Sequence, residues 1–295
     1  MALTFQLRQC PCSKGMLKIA LGTAQFGLDY GLTNTGGQVT INEVKNILDF
    51  ACANGVGTLD TAPGYGDCEK ILGMVGASDH QIVTKIESLA LGVDGVIQSF
   101  RQSLSDLQVD SVDGLLIRAK NVQKKEIDSL YKELNKLKQD KLINKIGFSA
   151  YSPEQVDSLL SNFDFDLIQV PFNVFDTRLT RGGQLSALKN KSIEIHTRSV
   201  FLQGILLDFD NLPKYFKTWE KQFNEYQAMV KESGISLLEY ALNFALNITE
   251  IDKVLVGVHS ERQLKEIVQA AKGSSGLGAY PIDDINLLNP SLWKT

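Results

Sequence analysis

Residues 145–170 read KIGFSAYSPEQVDSLLSNFDFDLIQV. The opening KIGFS and the closing DLIQV (166–170) are short runs of strand type. Between them, SPEQVDSLLSNF (152–163) carries apolar residues at helical spacing, behind a Ser at the N-cap position and a Pro at the first helical position. The stretch therefore predicts a strand, a helix and a second strand.

The same alternation runs in both directions. Strands are predicted at LKIAL (17–21), GTLD (57–60), QIVTK (81–85), DGLLI (113–117), IEIHT (193–197) and KVLVG (253–257). Helical patterns lie at 42–55, 95–107, 124–142, 236–246 and 260–272, with an extra helix at 219–234. Eight strands alternating with helices over about 250 residues predict a (β/α)8 barrel of the TIM type. A doubly wound sheet is the competitor, but neither a G-x-G-x-x-G after the first strand nor a G-x-x-x-x-G-K-[ST] is present. No composition shift marks a second domain, so residues 1–295 are read as one barrel domain. Residues 1–15 form an N-terminal extension, expected as a β-hairpin closing the barrel bottom.

Composition narrows the function. The chain has 295 residues, 43% of them hydrophobic and 22% charged, with a formal net charge of −4. That balance argues against a nucleic-acid partner, which needs clustered Lys and Arg. No apolar run approaches the roughly 20 residues of a membrane-spanning helix. The N-terminus lacks a long apolar leader, so a cytoplasmic protein is expected. Cys10 and Cys12 bracket a proline, and with three histidines in the whole chain no zinc spacing is completed. No metal is expected.

In such barrels chemistry sits at the C-terminal ends of the strands. Read in order, those ends carry Asp60, Lys85, Arg118 and Ser149, with Gln169 inside the sixth strand and TRSVFLQG and GVHSERQL after the seventh and eighth. Tyr65 lies on the Gly- and Pro-rich turn after Asp60. Singly, each has an ordinary structural reading as a cap, a solvated cation or a satisfied core amide. Jointly they form a polar ring.

The motifs LGTAQFGLDYG (21–31), LDTAPGYGDCEKILG (59–73), IVTK (82–85), GFSAYS (147–152), IQVPFNVFD (168–176), RSVFLQGILL (198–207) and VLVGVHSERQLKEI (254–267) occur in the order found in the aldo-keto reductase superfamily. The chain resembles that family from residue 17 onward, most closely its short bacterial members without a long C-terminal specificity loop. The resemblance implies a nicotinamide-dependent oxidoreductase acting on a small carbonyl, alcohol or sugar. Asp60, Tyr65 and Lys85 fall on the family's catalytic positions, and Arg118 stands where a histidine is usual. Gly22, Thr23, Ser149, Gln169, Arg198, Ser199, Phe201, Leu202, Gln203, Gly204, Gly257, His259, Ser260, Gln263 and Glu266 fall on cofactor-binding positions. Ala150 replaces the Asn that usually follows Ser149, and Ile267 the Asn that usually follows Glu266. Arg198 occupies the place of an aromatic that stacks on the nicotinamide. Because His259, Ser260, Arg262 and Lys265 cluster where a 2′-phosphate would lie, NADP(H) is expected rather than NAD(H). Phe26, Tyr30, Phe172, Asn173 and Phe201 suggest a pocket with aromatic walls.

Arg118 admits two readings inside the site and one outside it. With Lys85 it could lower the pKa of Tyr65 and favour tyrosinate, or it could grip an anionic substrate. It could also be a surface arginine beside Lys120. Two other classes stay open beside the oxidoreductase: a redox-neutral epimerase or lyase retaining the cofactor, and a non-catalytic NADP(H)-binding protein.

Overall fold

The computed structural model describes residues 17–90, 92–118, 124–271, 273 and 276–294. Each predicted strand forms, as β1 (Ile19–Gly22), β2 (Thr58–Asp60), β3 (Gln81–Ile86), β4 (Val112–Arg118), β5 (Ile143–Ser149), β6 (Leu167–Pro171), β7 (Glu194–Arg198) and β8 (Lys253–Gly257). All pair in parallel with their sequence neighbours, and β1 pairs with β8 through Ile19 and Val254 to close the barrel. This is the expected (β/α)8 fold. The predicted N-terminal hairpin, with Cys10 and Cys12, and Lys120 lie outside the described residues.

The connections carry α1 (Ala24–Gly27), α2 (Ile41–Ala53), α3 (Cys68–Val75), α4 (Gly92–Leu107), α5 (Lys124–Gln139), α6 (Pro153–Asn162), α7 (Arg178–Arg181), α8 (Gln184–Asn190), α9 (Glu220–Glu232), α10 (Leu237–Leu246), α11 (Glu261–Ala270) and α12 (Ile285–Leu288). Helix starts follow the capping chemistry. The Ser236 hydroxyl accepts from the Glu239 amide at 3.2 Å, and the Glu239 carboxylate accepts from the Ser236 amide at 3.0 Å, a reciprocal pair that opens α10. Ser260 accepts from the Gln263 amide and opens α11 in the same sense. The predicted extra helix is α9. Its buried Phe223 and Tyr226 pack against Phe175, which the β6 end supplies, and Tyr226 also meets Tyr280 from the C-terminal segment. Among the described residues, no helix is long and apolar enough to cross a membrane.

Below the mouth, the barrel interior is plugged by Val83, Leu116 and Leu167. Beneath that plug lies a charged layer. Lys145 of β5 reaches Asp113 at 2.9 Å and, across the barrel, Glu194 of β7 at 2.6 Å. The His196 ring nitrogen Nε2 meets the other Glu194 oxygen at 2.7 Å. Burial opposes the charge on Glu194, but His196 and Lys145 outweigh it and hold the carboxyl down at about 2. An unfolded Glu titrates near about 4.3. The folded form is thus the weaker proton binder, and its advantage is present above that range and lost as pH falls toward 2. Acid titration followed by circular dichroism should show a stability loss below about pH 4.5. Glu194→Gln should remove on the order of 2 kcal/mol of that dependence, a figure reduced for partial exposure.

Candidate active site

The terminal residues of the strands line one cavity of about 560 Å3 at the barrel mouth. Gly22, Asp60, Arg118, Ser149, Arg198 and Gly257 end their strands on its wall, joined by Lys85, one residue before the end of β3, and Gln169 of β6. Side chains alternate faces along a strand, so a polar residue closing an apolar run turns inward at the one level where the interior opens to solvent. The volume lies in the range of small-molecule and cofactor sites.

On the cavity floor, Asp60 and Lys85 are almost wholly buried, at 3% and 5% exposure. The Lys85 ammonium donates to the Asp60 carboxylate at 2.6 Å and to the Thr61 carbonyl at 2.8 Å. The Gln169 amide donates to the other Asp60 oxygen, also at 2.6 Å. Both carboxylate oxygens are therefore held. The ammonium stands 5.1 Å from the centre of the Tyr65 ring. Burial opposes the charge on Lys85, yet Asp60 and Tyr65 outweigh it and keep the ammonium above the ordinary lysine range. For Tyr65, burial pushes the hydroxyl up, Lys85 pulls it down, Asp60 adds a smaller push, and the outcome is a rise. That direction favours the protonated hydroxyl and gives no support to the reading in which Lys85 and Arg118 together favour tyrosinate.

Two glycines set the position of Tyr65. A Cβ on Gly27, the last residue of α1, would lie 1.8 Å from the Tyr65 carbonyl oxygen and 2.6 Å from the Cys68 nitrogen. Gly66, with φ +59°, would in turn drive a Cβ to 2.4 Å from the Gly27 carbonyl oxygen. The turns after β1 and β2 thus interlock backbone against backbone, which no flexible side chain can relieve. Gly27→Ala should displace the Tyr65 turn, lowering the melting temperature and kcat together. The overpacking cost should be about 1–3 kcal/mol, measurable by thermal denaturation.

Arg118 lies on the cavity wall, not turned to the outside, but it is not a lone cation. Its Nη2 donates to Glu87, just past the end of β3, at 3.1 Å. The Glu87 carboxylate in turn packs on Gly64, where a Cβ would come within 2.8 Å of its oxygens. Arg198 likewise has a partner. Its guanidinium lies 4.4 Å from the centre of the Tyr151 ring and donates to the Ala150 carbonyl at 3.3 Å. The head of Arg198 therefore reaches from β7 to the end of β5.

The remaining predicted residues divide. Thr23, Tyr30, Ser199, Phe201, Gln203, Gly204, His259, Gln263 and Glu266 line the cavity. The loop after β7 holds left-handed backbone at Ser199, Leu202 and Gln203, and it meets the loop after β1 where Gln203 donates to the Tyr30 hydroxyl at 3.3 Å. Such conformations persist where surrounding structure holds them, often at ligand clamps. Leu202 itself is fully buried in the core, and Ser260 is engaged as the α11 cap. Phe26 and Phe172 are corrections: both are fully buried core residues, and Phe172 stacks on Phe244 at 5.6 Å. Asn173 is also off the wall, its side chain bonding the Ser199 carbonyl and the amides of Phe175 and Asp176. Lys265 turns away to Glu261 at 2.7 Å. Gln25, Tyr151 and the C-terminal Asn289–Pro290–Ser291 line the cavity without having been foreseen. Gln25 and Tyr151 sit inside quoted motifs, so their signal was adjacency to strand ends.

The aldo/keto reductase family model matches residues 18–282. The chain belongs to the aldo/keto reductase family. L-galactose dehydrogenase of Arabidopsis thaliana is 28% identical over 253 residues, covering 76% of each protein. An uncharacterized oxidoreductase of Bacillus subtilis (strain 168) is 24% identical over 282 residues, covering 87% of this chain and 91% of that protein. The structure of an aldo-keto reductase from Bacillus halodurans in its holo form superposes with a TM-score of 0.71 at 19% identity, covering 87% of both chains. At that identity the likeness carries the fold. Family membership makes the chain an oxidoreductase that acts on small molecules with a nicotinamide cofactor.

Proposed function

We propose that this enzyme interconverts a small carbonyl compound and its alcohol with NADP(H), and that carbonyl reduction is its favoured direction. The observation that carries this reading is the buried Gln169–Asp60–Lys85 chain set against a protonated Tyr65. When bound, the nicotinamide supplies the hydride. Tyr65 then acts as the proton donor to the carbonyl oxygen. Its burial keeps the hydroxyl protonated, and the Lys85 ammonium stabilises the phenolate left behind. Asp60 holds the ammonium, and Gln169 holds Asp60.

The residues present suit an elongated dinucleotide. Hydroxyls and amides from Thr23, Ser149 and Gln169 line the floor, and the cavity runs on to His259 and to Gln263 and Glu266 of α11. A helix start favours a phosphate. His259 and the exposed Arg262 in the first turn of α11 support the phosphorylated cofactor. Lys265 no longer does.

Titration of the protein with NADP(H) and with NAD(H), followed by intrinsic fluorescence, tests cofactor choice. Tighter binding of NAD(H) would overturn only the phosphate argument, whereas no affinity for either would overturn the oxidoreductase reading. The pH–rate profile tests direction. Reduction should stay level through neutrality and decline only above the ordinary tyrosine range of about 10. A decline already at pH 7 would mean that Tyr65 ionises early and that oxidation is favoured.

A further inference from the structure

We propose that Arg118 and Arg198 together bind an anionic group carried by the substrate, so that the natural substrate is a small carbonyl or alcohol bearing a carboxylate or phosphate. The inference deepens the reading above and rests on it for the reaction, but not for the anion site itself.

Four observations carry it. First, both arginines stand on the wall of one cavity. Arg118 ends β4 in register with Ser149 of β5, and Arg198 donates to the carbonyl of Ala150, the next residue along. Second, their donors are underused. Arg118 Nε is buried without a partner among the described residues, and Arg198 has no carboxylate partner there. Each guanidinium carries five N–H donors, and a carboxylate or phosphate satisfies such forks two at a time. Third, the charges at this end do not cancel. The cavity wall holds two acidic side chains, Asp60 and Glu266. Asp60 is already bonded through both oxygens by Lys85 and Gln169. Glu266 belongs to α11, beyond β8. Glu87 balances Arg118 from beyond the cavity wall, and among the described residues no carboxylate pairs with Arg198. Fourth, Arg198 points away from the β7–β8 side, where the loop 199–204 and α11 stand. It reaches the end of β5, where the Tyr151 ring lies against its guanidinium.

Glu87 then acts as a positioning residue. It fixes Arg118 through one donor and leaves the others to face inward. Its charge also opposes an incoming anion, so removing that charge while keeping an acceptor should tighten anion binding.

The test is calorimetric titration of the NADP(H)-loaded protein with succinate, with inorganic phosphate and with uncharged succinamide. One or both anions should bind at least tenfold more tightly than succinamide, and which of them does separates a carboxylate from a phosphate. Arg198→Gln and Arg118→Gln should each reduce that preference by tenfold or more, and Glu87→Gln should increase it. Turnover of succinic semialdehyde against butanal, and of glyceraldehyde 3-phosphate against glyceraldehyde, should show the same preference in kcat/KM. Equal binding of succinamide and the anions, or a preference that survives both arginine substitutions, would overturn the anion site. If no dinucleotide binds, the oxidoreductase reading fails separately, and the same titrations on the cofactor-free protein still decide the anion site.

Discussion

Tyr65→Phe is expected to lower turnover by about 10²-fold or more while leaving dinucleotide affinity nearly unchanged. The substitution removes one oxygen and keeps the ring, so the turn interlocked with Gly27 and the contact with Lys85 retain their shape. What disappears is the hydroxyl proposed to give a proton to a carbonyl oxygen and then be stabilised as an anion. Steady-state kinetics in the reducing direction, paired with fluorescence titration of the cofactor, checks the claim. Unchanged kcat would make Tyr65 a turn residue and remove the proton donor from the proposed reaction.

Lys85→Met should have the largest effect on stability. It leaves the Asp60 carboxylate buried at 3% exposure with Gln169 alone to hold it. Removing one partner of a buried pair typically costs about 3–5 kcal/mol, because the remaining charge is uncompensated. The pH dependence identifies the cause. Without the ammonium, Asp60 in the folded variant should bind its proton more tightly than in the unfolded chain. The stability deficit is then absent below the unfolded carboxyl range and grows as pH rises toward the folded value. Denaturant unfolding of variant and parent at pH 4 and pH 7 should therefore converge at the lower pH. An equal deficit at both would mean that lost packing, not a stranded carboxylate, is responsible. Catalysis should fall as well, since the Tyr65 hydroxyl loses the cation that draws its pKa down.

The sequence shows the barrel through its strands because those segments are short, apolar and bounded by turn residues. It shows the longer helices because two or more turns of periodicity are visible. The shorter elements escape. Helix α3 has eight residues and an internal Gly73, and α8 has seven behind Gly182 and Gly183. Neither is long enough for a periodic signal to rise above its breakers. The same limit governs the site. Asp60, Lys85 and Arg118 are legible because a polar residue closing an apolar strand has one place to go. The partners of the arginines are not, because Glu87 meets Arg118 from the neighbouring strand end and Tyr151 meets Arg198 past the intervening β6. Phe26 and Phe172 mislead for a related reason: an aromatic beside a strand end can turn to the mouth or into the helix layer, and residue type alone does not choose.

The pairing of β1 with β8 has a consequence for the history of each molecule. Ile19 and Val254 belong to opposite ends of the chain, so their contact carries nearly the full loop-closure cost and is available only once the last strand has been made. Until then the partly wound sheet has two open edges, each a row of unsatisfied amides and carbonyls that another nascent chain can pair with. Closure removes both edges at once. The finished barrel should resist edge-to-edge association, whereas refolding yield should fall steeply as protein concentration rises.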